Sequence, residues 1–251
     1  MSQDIQLMAL AAAGVGFFHT IVGPDHYLPF IMMAWARKWS LSKTTLITFL
    51  CGIGHVASSI VLGLIGVALG IALGRLEMFN SLRGNIAAWL LIAFGLVYLV
   101  WGLRRAYLNK PHTHFHQHPD GSTHSASSGQ AGSPQCDEHA HEHTHHEEHI
   151  HVHDNAAKVS ITPWVLFTIF VFGPCESLIP LIMASSKEGL YGIILITSMF
   201  GAATISTMLV ITLLAVKGVK LIKPNRLERY NHAIAGGTIL LCGLAIQFLG
   251  L

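Results

Sequence analysis

Phe18-His19-Thr20-Ile21-Val22-Gly23-Pro24-Asp25-His26-Tyr27-Leu28-Pro29 lies in the first apolar run of the chain. It sets two imidazoles, a carboxylate and a helix-breaking Gly-Pro inside a segment that otherwise reads as membrane-spanning. Ionisable groups are expensive in lipid and mark a functional site by default. A helix can break at membrane depth only where the freed backbone is buried in protein or lines a cavity. The fold follows from reading this stretch as a broken transmembrane helix.

Composition agrees with that reading. Of 251 residues, 52% are apolar and only 11% are charged, and mean hydropathy is +0.53; a soluble domain carries roughly 25% charged residues. Six apolar runs stand out, at 5–36, 44–73, 85–103, 161–184, 190–216 and 233–251. Each approaches or exceeds the roughly 20 residues a helix needs to cross the hydrocarbon. None alternates apolar with polar residues, which excludes membrane strands. The first run is interrupted at Gly23-Pro24 and Pro29, the fourth at Gly173-Pro174 and Pro180. Residues 1–6 lack the basic stretch of a cleavable signal, so the first span is expected to be retained. The expected fold is an all-α integral membrane protein with six transmembrane helices, of which the first and fourth are broken.

The two halves repeat. Gly23-Pro24-Asp25-His26 is echoed by Gly173-Pro174-Cys175-Glu176 at an offset of 150. Gly52-Ile53-Gly54-His55, followed by Ser58, is echoed by Gly201-Ala202-Ala203-Thr204, followed by Thr207, at 149. Gly95 with Gly102 is echoed by Gly243 with Gly250 at 148. Collinear matches at a nearly constant shift mark an internal duplication. Three spans is an odd number, so the second copy enters the membrane upside down. Inverted repeats with paired broken helices are the plan of secondary transporters, whose substrate site lies near the bilayer midplane. Residues 1–109 are then the first three-helix repeat and 159–251 the second.

Between them, residues 110–158 are hydrophilic and hold 13 of the 17 histidines. Interleaved Ser, Gly, Asp and Glu prevent a packed core, so no fixed structure is expected without a ligand. The run His112, His114, His116, His118, then His124, then His139, His141, His143, His145, His146, His149, His151 and His153 offers many imidazoles without fixed geometry. Such a tract suits loose, reversible binding of divalent metals. It also reads as a plain solvated linker. The loops after the first, third and fifth spans carry twelve Lys and Arg, against Arg75, Arg83 and Lys187 on the other side. Positive residues stay inside. Both termini are therefore expected outside and the histidine loop in the cytoplasm, with the chain in the cell inner (plasma) membrane.

His19, Asp25 and His26 cluster around the first break, and His55 adds a third imidazole from the second span. Imidazole with carboxylate suits a borderline divalent ion such as Ni²⁺, Co²⁺ or Zn²⁺. A helix–helix hydrogen bond is the plainer reading of His55. Cys175 and Glu176 stand where Asp25 and His26 stand in the first repeat. Glu176 reads as a ligand or proton carrier, and Cys175 as a soft ligand or a small packing residue. The other cysteines are Cys51, Cys136 and Cys242, and no CxxC is present. Thr204 and Thr207 read as hydroxyls bonded within their own helix.

His19-(x5)-Asp25-His26 resembles the His-x4-Asp-His signature of nickel/cobalt transporters, with one extra residue. Gly54-His55 followed by Ser58 resembles the Gly-His-Ser/Thr element of that family's next span. Gly173-Pro174-Cys175-Glu176-Ser177 is similar to the Pro-Cys-x-Ser element of the NicO-type branch, as is a histidine-rich loop at mid-chain. Six spans are fewer than the eight of the family's importers. The resemblance implies a transporter whose substrate is a divalent transition metal, held by His19, Asp25, His26 and His55 with Cys175 and Glu176 closing the site. The branch belongs to the broader LysE/cytochrome c biogenesis-like membrane superfamily. Thiol-redox members of that superfamily have a motif similar to Gly-Pro-Cys, with one redox cysteine in each broken helix, but here Asp25 stands where the first would be.

The function expected is secondary transport of Ni²⁺ or Co²⁺ before Zn²⁺, with export favoured over import, and no enzymatic activity or resident cofactor. No nucleotide-binding motif is present, so an ion gradient is the expected drive. The expected partners are the lipid bilayer and transition-metal ions, with no nucleic acid; self-association into a homo-oligomer stays open. Three rivals remain. One is a transmembrane thiol–disulfide electron carrier using Cys51 and Cys175. Another is an accessory protein that captures metal for metalloenzyme maturation, and the third is an anion exporter.

Overall fold

Gly23 and Pro24 end the first helix. In the computed structural model α1 spans Gln3–Val22 and closes as Gly23 N donates to His19 O at 3.1 Å. Pro24 has no N–H to continue the ladder. It starts instead a 3₁₀ turn over Pro24–His26, and the chain resumes as α2, Leu28–Ala36, with a proline in its first turn. A proline is tolerated there because that N–H would be unpartnered anyway. Lys38 then adopts a left-handed conformation (φ 51°). Lys38 N donates to Trp35 O and Trp39 N to Ala34 O, which closes α2 with a Schellman turn. Ser40 caps the next helix by accepting from Lys43 N at 3.2 Å.

The residues described are 3–108, 112–115, 140–143, 162–173, 175, 177–221 and 228–250. After the first break come α3 (Leu41–Ala68), α4 (Leu73–Leu108), α5 (Thr162–Phe172), α6 (Leu178–Ser185), α7 (Gly189–Leu221) and α8 (Asn231–Leu249). Among the described residues, five helical stretches are long and apolar enough to cross a membrane: Gln3–Val22, Leu41–Ala68, Leu73–Leu108, Leu178–Val219 and Asn231–Leu249. The protein is therefore an all-α multi-pass membrane protein in its helical part. The sequence predicts six spans. The difference lies in the fourth apolar run, which divides into the 11-residue α5, too short to cross alone, and α6. A 3₁₀ turn over Ser186–Glu188 joins α6 to α7, so the two run on as one stretch.

By contacts the chain forms two compact units, Met1–Arg104 with Val159–Leu251, and Arg105–Lys158. In the first, α1 packs chiefly on α7, and α3 packs on α5, α6 and α7. α2 packs on α8 and α7. α4 meets α8 at glycines. A Cβ on Gly95 would run into the backbone of Leu240, and one on Gly236 into the backbone of Leu99. Helices in lipid gain no hydrophobic drive to associate, so small residues that let backbones touch supply the attraction. Two apolar clusters fill the bundle. One holds Phe30, Met33, Leu166, Phe170 and Ile239; the other holds Ala12, Leu178, Ile182, Ile196 and Phe200.

In the second unit the described residues of the histidine loop pair as two antiparallel strands, β1 (His112–Phe115) and β2 (Ala140–His143). Where the sequence predicts no fixed structure, this ladder sets His112 opposite His143 and His114 opposite His141. His116, His118, His124, His139, His145, His146, His149, His151 and His153 lie outside the described residues.

Candidate metal centre

The break delivers two imidazoles to one place. His19 is in the last turn of α1 and His26 closes the 3₁₀ turn. Their rings meet edge to face with centroids 4.6 Å apart. His55 arrives from α3, as the fifteenth of its twenty-eight residues, and its ring lies 5.0 Å from that of His26. His26 and His55 are buried and His19 is half-buried. One potential ligand atom from each of the three lies within 4.8 Å of the others.

The hydrogen bonds decide which nitrogens face inward. His26 Nδ1 lies 3.0 Å from Asp25 Oδ1 and 3.1 Å from Gly23 O. Both partners are acceptors, so Nδ1 carries a proton, and in the neutral ring Nε2 keeps its lone pair. His55 Nδ1 is 3.4 Å from the carbonyl of Phe170 on α5, which favours the same tautomer. The two Nε2 atoms then face each other at 3.3 Å. Two lone pairs at that distance repel unless a metal ion or a proton sits between them. Two nitrogens on one tetrahedral ion at about 2.0–2.1 Å lie about 3.3–3.4 Å apart, so this edge already fits such an ion.

Asp25 stands behind His26, on the nitrogen away from His55. In metal sites a carboxylate so placed fixes the tautomer and ring orientation of a ligating histidine. Asp25 also lines a cavity of about 30 Å³ with Gly84, Leu91, Phe170 and Gly173, room for a water or two. Cys175 is fully buried, and its Sγ lies 3.8 Å from His19 Nε2. The structure therefore brings His19, Asp25, His26, His55 and Cys175 together. Glu176 lies outside the described residues.

Cys51 is also buried, but it belongs to the cluster around Phe30 and Phe170, whereas Cys175 belongs to the one around Leu178 and Phe200. Neither is joined in a disulfide. Thr207 bonds back to Ala203 O within α7, as expected. Thr204 instead reaches Gly16 O of α1, the carbonyl that also accepts from Thr20 at 2.8 Å. The Thr204 hydroxyl thus ties α7 to α1 within two turns of the break.

Sequence reasoning missed Arg83. It reads as a charge in a loop, yet it is inside α4 with its guanidinium turned into the bundle. The only sequence signal is its spacing of three from Asn80, one helical turn, which lets it bond Asn80 Oδ1 at 3.3 Å. Compared with protein-family models, curated proteins and solved structures, the chain matches none.

Proposed function

We propose that the protein is a secondary transporter of divalent transition-metal cations, Ni²⁺ or Co²⁺ before Zn²⁺. One observation carries this reading. The Nε2 atoms of His26 and His55 are held 3.3 Å apart with both Nδ1 nitrogens engaged elsewhere. A helix–helix hydrogen bond between the two rings keeps both Nδ1 contacts only when one ring is a charged imidazolium. His19 completes three imidazoles, and Cys175 adds a soft donor that suits Co²⁺ and Zn²⁺.

Transport, rather than storage, is supported by where the centre stands. It lies halfway along α3, at the break of a membrane-crossing helix, as substrate sites of secondary transporters do. The helix contacts support two inverted repeats with six spans. The α1–α7 and α5–α3 pairings correspond under the duplication, as do α2–α7 and α6–α3. The positive loops favour the inner membrane with both termini outside and the histidine loop cytoplasmic. Export is the favoured direction, because a cytoplasmic histidine tract gathers metal at the entrance. Protons serve as counter-ions, since a protonated imidazole releases metal and a bound metal displaces protons.

The test is metal content of cells that express the protein. Lower nickel or cobalt than in control cells supports export, and higher supports import. An unchanged level of every divalent metal sinks the transporter reading.

A further inference from the structure

Arg83 carries a positive charge where lipid-crossing helices rarely hold one. Its Nη2 donates to Ser58 Oγ at 2.7 Å, to Val171 O at 2.9 Å and to Gly173 O at 3.5 Å. Its Nη1 donates to the buried Asn80 at 3.3 Å. Ser58 is one turn beyond His55 on α3 and donates to His55 O at 2.8 Å. The guanidinium is therefore held about one turn from the middle of a membrane-crossing helix. A charge at that depth is costly and is kept for function.

Its acceptors show what the function is. The last carbonyls of a helix have no partner within it and carry partial negative charge. At the end of α5, Arg83 takes Val171 O and Gly173 O, while Phe170 O, which also accepts from Gly173 N at 3.1 Å, faces His55 Nδ1 at 3.4 Å. One helix end is thus shared between a guanidinium and a metal-site imidazole. Gly173 keeps the two close, since a Cβ there would lie 3.2 Å from His55 Nδ1.

We propose that Arg83 is a positioning residue of the metal centre, clamping the end of α5 so that Phe170 O holds His55 with Nε2 turned toward His26. This rests on the metal reading of that centre. Arginine suits the task because its planar fork reaches a hydroxyl and two carbonyls together, and lysine, a point charge, cannot reproduce the fork. The second broken helix thereby acts on the first repeat's histidines without giving them a ligand from α5.

The test is titration of the purified protein in detergent with Co²⁺, following affinity and the d–d absorption of the loaded protein. Arg83→Ala is expected to weaken Co²⁺ binding about ten- to a hundredfold and to shift the d–d bands at saturating metal. Arg83→Lys should recover part of the affinity but not the wild-type spectrum. Ser58→Ala, which removes one acceptor and no charge, should move both readouts the same way by less, and it decides the matter if Arg83→Ala does not fold. A plain helix cap would lower thermal stability and leave the spectrum of the loaded protein alone. Wild-type affinity and spectrum in Arg83→Ala, or in both Arg83→Lys and Ser58→Ala, overturn the proposal while leaving the metal reading intact. Absence of Co²⁺ binding by the wild type overturns both.

Discussion

Gly23 has no side chain, and the space for one is taken. A Cβ there would lie 2.6 Å from His26 Nδ1 and 2.8 Å from Asp25 Oδ1, closer than real Cβ contacts allow. Gly23→Ala should therefore push His26 and Asp25 off their shared bond. Calorimetric Co²⁺ affinity is expected to fall at least about tenfold, with the helix content of the bundle unchanged by circular dichroism. Asp25→Asn asks a different question of the same place. As the group that orients His26, Asp25 can be replaced at a loss of about ten- to a hundredfold in metal affinity. Abolished binding in Asp25→Asn would instead make the carboxylate itself a ligand. His55→Ala should return cellular nickel and cobalt to the level of control cells. The sequence shows His19, Asp25 and His26 together because they share one helix break. It cannot show that Asp25 stands on the far side of His26, since that depends on how tightly the 3₁₀ turn winds. Cys175 was legible only through the repeat, 156 residues from the imidazole it reaches.

At the level of the elements, local signals and local structure agree at the breaks and caps. Ser40 opens α3 with its hydroxyl on Lys43 N. Ser40→Ala is expected to cost about 1 kcal/mol, read as a lower unfolding temperature in detergent with metal affinity unchanged. The crossing of α4 and α8 is less forgiving. Gly236→Leu would place a side chain into the backbone of Leu99 and should prevent folding of the bundle, seen as aggregation on size-exclusion chromatography. Gly95 and Gly243 are visible in the sequence as repeat markers. Their use, a seam at which two backbones touch, becomes visible only when α4 and α8 are side by side. Arg83 was illegible for a related reason. Arg75, Glu77, Asn80 and Arg83 fall within nine residues and suggest a loop, but α4 runs through them from Leu73. A residue that looks solvated by its neighbours in sequence is claimed by neighbours in space, at the end of α5.

For the whole molecule, the histidine loop and the helical bundle make separable predictions. Removing residues 110–158 should leave a transporter able to move metal, at lower rate when the metal is scarce, measured as ⁶³Ni flux into inverted vesicles. A capture protein would lose all activity on the same deletion. Cys175→Ser should reduce metal flux at most and leave the protein folded; loss of thiol–disulfide exchange would favour the electron-carrier rival. Composition alone made the membrane class plain, because a chain with 11% charge and long apolar runs has few other places to fold. The tally of spans was harder, since an 11-residue helix and a continuous 178–219 stretch blur a count that rests on length. The opposed lone pairs of His26 and His55 bear, finally, on kinetics. Held 3.3 Å apart, they make the closed centre unfavourable when it contains nothing at all. A carrier built on it passes through its closed state filled, by metal one way and by a proton the other, and is slow to return empty. Exchange of labelled for unlabelled nickel across vesicles should then outpace net efflux into metal-free buffer at a pH where few protons are on hand, and a tight stoichiometry between the two ions would follow without any separate gate to enforce it.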